Sequence, residues 1–174
     1  MIYTPDEDSY LLEKYVKKYS KNKSFLDMGS GSGIQAKAAI SAGASSVLAS
    51  DINKEAVENL KSQGINAIHS NLFKNIKSKF DIIAFNPPYL PEDKQEDKES
   101  ALVTTGGKKG DEIILKFLKQ AKAHLNKNGT ILLILSSLTP KNKIIPLLNK
   151  LSMSYKILEN KKIFFESLEI WEIQ

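Results

Sequence analysis

The chain has 174 residues, 41% hydrophobic and 26% charged, with nine glycines, six prolines and no cysteine. That profile predicts one globular domain over residues 1–174, large enough to bury roughly 70% of its unfolded surface without a covalent staple. The absence of cysteine excludes disulfides, a thiol nucleophile and a Cys-ligated metal; His69 and His124 stand far apart, so no metal site is expected.

No apolar run approaches the roughly 20 residues of a membrane span. The opening residues 1–8 are acidic where a signal peptide would be basic, so a soluble, cytoplasmic protein with no membrane association is expected. A net charge of +5 and a pI near 9.2 favour an anionic partner, yet all 25 basic residues are lysine. Without arginine the chain lacks the planar fork that reads guanine in a duplex, which leaves nucleic acid as the weaker partner class.

In chain order, Pro5 and the carboxylates of Asp6, Glu7 and Asp8 precede Leu11 and Leu12, the pattern of a helix start. Strand-like runs at 24–28, 46–50, 66–69, 80–85 and 129–135 then alternate with helical patterns at 34–42, 54–63, 111–125 and 140–151. Such alternation predicts parallel strands joined by helical crossovers, an α/β doubly wound fold. The tail departs from it: β-like runs at 153–158 and 163–173, separated by the polar stretch 159–162, predict an antiparallel hairpin closing a seven-stranded sheet. Residues 91–109 follow neither pattern and read as a long binding or solvated loop.

Two motifs carry chemistry. The first strand runs into Asp27-Met28-Gly29-Ser30-Gly31-Ser32-Gly33, where glycines admit positive φ and let a ligand approach the backbone. Ile34 replaces the last glycine of the dinucleotide fingerprint. Asp51, at the end of the second strand, can take both hydroxyls of a ribose, with Asn53 capping the helix that follows. After the third strand come Asn71 and Leu72.

The second motif is Asn86-Pro87-Pro88-Tyr89 at the end of the fourth strand. The prolines fix φ and carry no N–H, so the neighbouring carbonyls stay available. Two acceptors, the Asn86 side-chain oxygen and the Pro87 carbonyl, can take both hydrogens of a planar NH2 group and hold its nitrogen toward an electrophile, with Tyr89 stacking on the flat group.

These residues carry a family resemblance. The acid-x-Gly-x-Gly-x-Gly pattern is similar to the S-adenosylmethionine loop of class I methyltransferases, and Asn-Pro-Pro-Tyr resembles the signature of their amino-methylating members. Tyr3-Thr4-Pro5-Asp6-Glu7-Asp8-Ser9 with Leu11-Leu12, and the segment 101–110, resemble the short HemK-like N5-glutamine methyltransferases of archaea and eukaryotes. The resemblance implies that Ser9, Asp27, Gly29, Gly31, Gly33, Asp51, Asn71, Leu72 and Asn86 bind S-adenosyl-L-methionine, leaving S-adenosyl-L-homocysteine. Asn71 stands where many relatives carry aspartate against the adenine amino group.

Asn86, Pro87, Pro88 and Tyr89 would hold the glutamine amide of a release factor's Gly-Gly-Gln tip. The resemblance also implies a small zinc-binding activator protein paired with an edge strand near 66–69. Two other readings compete: an adenine-N6 methyltransferase on DNA or RNA, and a non-catalytic scaffold that binds S-adenosylmethionine.

Overall fold

The computed structural model describes residues 5–88, 110–164 and 166–174. Seven strands form one sheet in the order β3-β2-β1-β4-β5-β7-β6. They are β1 (Ser24–Met28), β2 (Ser46–Asp51), β3 (Ala67–His69), β4 (Phe80–Phe85), β5 (Leu125–Ser136), β6 (Tyr155–Lys162) and β7 (Ser167–Ile173). The first five pair in parallel, and β7 runs antiparallel to both β5 and β6. The α/β, doubly wound expectation holds, hairpin included.

On one face lie α1 (Glu7–Tyr19), α2 (Ile34–Ser41) and α3 (Lys54–Ser62); on the other lie α4 (Glu112–Ala121) and α5 (Ile144–Lys150). Leu12, Val16 and Phe25 pack with Ile134 and Ile170 on the first face, while Ile114, Phe117 and Leu118 pack with Ile83, Leu133 and Trp171 on the second. Ile114, Phe117 and Leu118 are fully buried, and burying each such side chain stabilises the fold by about 1.5–3 kcal/mol.

The start of α1 matters for the site. Asp6 is its N-cap, Glu7 and Asp8 fill the first turn, and Lys17 and Lys18 the last, so both helix ends carry the charge their dipole favours. Leu11, Leu12, Tyr15 and Val16 turn inward. Gln35 of α2 donates from Nε2 to the Ser9 carbonyl at 2.9 Å, tying the first turn of α1 to the sheet's central helix.

Three boundaries differ from the sequence reading. The hairpin does not turn at 159–162: β6 continues through Lys162, with a bulge between Ile157 and Glu159, and β7 begins only at Ser167. The polar run that looked like a turn is the solvent side of an edge strand, where lysines discourage pairing with another chain. Its Glu159 is also held by Lys14 and Tyr15 of α1, at 2.7 and 2.8 Å. The fourth helix ends at Ala121 in a 3₁₀ turn (Lys122–His124), so β5 begins four residues before Gly129. Finally α5 starts only at Ile144, its Pro146 lying in the first turn, where a proline is tolerated.

Candidate active site

Strand order reverses between β1 and β4, the switch point at which open α/β sheets bind ligands. Met28 and Phe85 are register partners at the ends of these strands, so the two motifs leave the sheet side by side, about 5 Å apart. Sequence distance had separated them by almost sixty residues.

In the glycine turn, Gly29, Gly31 and Gly33 all have positive φ, at 64°, 49° and 78°. Gly29 is exposed and Gly31 half-buried. A Cβ on Gly29 would press on the Phe85 ring at 3.3 Å. Gly33 differs: it is buried as the N-cap of α2, and a Cβ there would sit 2.3 Å from Leu60. Its absent side chain serves the packing of α2 against α3. Ser30 stitches the turn down, donating from Oγ to the Asp27 carbonyl and accepting from the Ser50 N–H at 2.8 and 2.9 Å.

Asp51 braces the same turn. One carboxylate oxygen accepts from the Gly31 N–H and the other from the Asn53 N–H, both at 2.8 Å. Asn53 caps α3 through Glu55, as its position suggested, so Asp51 is spared that role. Each Asp51 oxygen retains a second lone pair, enough for the two hydroxyls of a ribose.

Asp27 is buried and accepts from the Ala36 N–H at 3.0 Å. Burial pushes its carboxyl up to about 7; the Asp51 charge adds to the rise, and the Ala36 N–H opposes it. Asn71 is exposed, whereas Leu72 is buried with φ 49°. Ser70 holds this bend by donating to the Leu72 carbonyl at 2.7 Å.

At the second motif, Asn86 donates from Nδ2 to Asp8 Oδ2 at 3.0 Å and lies 3.5 Å from Ser9 Oγ. This contact sets the NH2 end of the Asn86 amide against the Asp8 carboxyl group. The other end, Oδ1, is buried and has no hydrogen-bond partner among the described residues. An unmet buried acceptor costs about 1–3 kcal/mol, which an incoming N–H would recover. Pro87 is buried and Pro88 half-buried. Tyr89, residues 1–4 of the N-terminal motif, and residues 91–109 lie outside the described residues.

Sequence reasoning missed two residues here. Asp8 was read as a helix-dipole charge, but it is buried, at 6% exposure, against Asn86. Gln35 was read only as part of a helix; it is buried, with an Oε1 that also lacks a partner. Neither has a sequence signal of its own. A carboxylate beside the Ser9 position was the available hint for Asp8.

The glycine turn, the Asp51 carboxylate and the unpartnered Asn86 oxygen together fit a nucleoside-bearing donor beside an acceptor for N–H groups. A mostly parallel sheet in this strand order, with both turns at its switch point, is the architecture of a class I methyltransferase. The chain belongs to the Methyltransferase small domain family, which it matches over residues 3–165.

It is 38% identical over 177 residues to a Methanocaldococcus jannaschii protein provisionally described as a protein N5-glutamine methyltransferase, covering 97% of this chain and 89% of that one. It is 36% identical over 125 residues to the release factor glutamine methyltransferase of Borreliella burgdorferi, covering 64% of this chain and 44% of that protein. Its fold matches a chain of the E. cuniculi Mtq2–Trm112 complex with a TM-score of 0.81 at 24% identity, over 99% of this chain and 98% of that one. That complex is described as responsible for methylating the eRF1 translation termination factor.

No helix among the described residues is long and apolar enough to cross a membrane.

Proposed function

We propose that residues 1–174 act as one catalytic unit that transfers a methyl group from S-adenosylmethionine to the side-chain amide nitrogen of glutamine in a peptide chain release factor. The observation that carries this reading is the buried Asn86 Oδ1, unpartnered and aimed by Asp8. The descriptions of the M. jannaschii and B. burgdorferi relatives support it.

The fit to S-adenosylmethionine rests on the residues present. Gly29 and Gly31 give the backbone a bare, positive-φ approach, Asp51 takes the ribose hydroxyls, and the bend at Asn71 and Leu72 borders the base. Ser9 and Asp27 border the amino-acid end of the donor, while Gly33 contributes by setting the helix behind the turn. When bound, this cofactor supplies an electrophilic methyl on a sulfonium.

The remaining work belongs to the chain. An amide nitrogen is a poor nucleophile because its lone pair is delocalised, so positioning is the main lever. Asn86 Oδ1 and the Pro87 carbonyl accept its two N–H bonds, Pro88 fixes the turn and Tyr89 stacks on the amide plane. Errors of about 1 Å in such alignment can cost on the order of 100-fold. No strong base is needed, since the N–H becomes acidic only as the new bond forms; Asn86 Oδ1 orients it by hydrogen bonding, and the proton then leaves to water.

A small zinc-binding activator protein belongs to this reading. The E. cuniculi neighbour is a complex with Trm112, and β3 here is a three-residue strand at the sheet's edge, a place where another chain can pair. The test is a release factor, or a peptide bearing its Gly-Gly-Gln tip, incubated with cofactor and activator and read by mass spectrometry. The reading requires one methyl on the glutamine amide. A glutamine left unmodified, or a methyl found on adenine of added nucleic acid instead, contradicts it.

A further inference from the structure

We infer that the end of the sheet remote from the acceptor turn is a docking surface for the phosphate backbone of double-helical RNA. Such a surface anchors the protein without feeding its acceptor site, so the inference is independent of the glutamine reading. Strands β1, β4 and β5 are parallel neighbours, and the segments that enter them meet at one end. Lys21-Asn22-Lys23 leads into β1 and Lys77-Ser78-Lys79 into β4; Asn126-Lys127-Asn128 lies in a bulge of β5 that faces Asp81. All of these residues except Asn126 are exposed. Neighbouring strands lie about 4.8 Å apart, so the three segments fit within about 10 Å across the sheet.

Asp81 bolts the segments together. Its carboxylate accepts from the Ser24 N–H and Oγ at 2.9 and 2.8 Å and from Asn126 Nδ2 at 2.9 Å, while its own N–H donates to Ser24 Oγ at 2.9 Å. The Ser24 N–H, then Asn126, holds this carboxyl below the usual carboxylate range, and Lys23 adds a smaller pull. No carboxylate stands within residues 20–23, 74–79 or 126–129. Lys21, Lys23, Lys77, Lys79 and Lys127 form no ion pair among the described residues. Helix dipoles explain the nearby Lys18 and Lys119, in the last turns of α1 and α4. They do not explain lysines outside the helices, whose mutual repulsion a polyanion relieves.

The chemistry of these side chains selects the partner. Ammonium groups hold phosphate oxygens as point charges and, with no arginine fork beside them, read no base edge, so binding is independent of sequence. Asn22, Ser78 and Asn128 set short amide and hydroxyl groups among the lysines, suited to the ribose 2′-hydroxyls that only RNA carries. None of the exposed large apolar side chains of the described residues lies in these segments. That removes both the stacking platform a single strand uses and the apolar face a membrane surface takes. The six residues of β4, about 20 Å of strand, separate this surface from Asn86.

The test titrates the full chain against a fluorescent RNA hairpin at about 50 and about 200 mM salt, with a DNA duplex of the same sequence and vesicles of anionic lipid as alternative ligands. The variant Lys21→Gln/Lys79→Gln/Lys127→Gln takes one charge from each segment, and Lys54→Gln/Lys61→Gln/Lys162→Gln removes the same charge elsewhere. We expect RNA affinity to fall on the order of 100-fold between the two salts, as for about four phosphate contacts. At the lower salt it should exceed DNA affinity about fivefold, drop about tenfold in the first variant and change less than about threefold in the second. Binding of S-adenosylhomocysteine should be equal in all three proteins, which reports an intact fold. With the native protein alone, no binding of the hairpin at the lower salt, equal affinity for the DNA duplex, or binding to vesicles in place of RNA overturns the docking surface. So does an equal loss of RNA affinity in the two variants. Each of these results leaves the glutamine reading standing.

Discussion

Asn86 is steered from one side and bare on the other. Asp8 receives its amide nitrogen, and the opposite oxygen meets no partner among the described residues. Replacing Asp8 with alanine frees the Asn86 amide to rotate, so transfer should fall about 10- to 100-fold while cofactor affinity changes little. Equilibrium binding of S-adenosylhomocysteine beside initial rates reads both effects. Asn86→Ala should abolish transfer more completely and leave the same binding; if binding collapses instead, Asn86 is structural.

Asp27 makes a second prediction at this scale. Burial lifts its folded-state carboxyl to about 7 from a reference value of 3.8. Between those values the folded chain binds more protons than the unfolded one, so stability falls as pH rises through that window, by on the order of 1.4 kcal/mol per pH unit at most. Asp27→Asn removes this slope. The variant's melting temperature should gain on the native protein's as pH climbs from about 4 to about 7, and differential scanning at stepped pH measures it. Parallel curves for the two proteins would contradict the assignment.

At the scale of elements, the three motif glycines divide between two tasks. Gly29 and Gly31 hold the positive-φ turn proposed to face the donor, whereas Gly33 makes room for Leu60 of α3. Gly33→Ala should cost about 1–2 kcal/mol through its left-handed φ alone, and more through the contact at 2.3 Å. In urea titrations, adding Leu60→Ala should cost less in the Gly33→Ala background than in the native one, because the two share a single clash.

The elements also show what a sequence can disclose. Alternating apolar runs and helical patterns located the five parallel strands, because strands covered on both faces tend to be continuously apolar. The hairpin turn was misplaced because an edge strand with charges on its open side resembles a loop in composition. Asn53 was assigned correctly as the helix cap from its spacing, since a cap position lies next to the helix it serves in sequence. The bond between Asp8 and Asn86 was not legible: it joins residues 78 positions apart, and the packing of α1 against α2 and the sheet brings them together.

Across the whole molecule, the sheet reverses its winding where a donor loop and an acceptor turn emerge together, and the proposed chemistry depends on that coincidence. In the proposed reaction distinct groups would share the labour: Asp51 and the glycines would receive the donor and Asn86 and Pro87 would align the amide, with Asp8 holding Asn86 in place. The most direct measurement is a crystal structure with S-adenosylhomocysteine and a Gly-Gly-Gln peptide bound. The account predicts the glutamine amide nitrogen at about 2.7–3.2 Å from Asn86 Oδ1, the cofactor sulfur facing that nitrogen and the ribose hydroxyls on Asp51. A cofactor sulfur turned away from the prolyl bend, or a glutamine amide bound elsewhere, would contradict it.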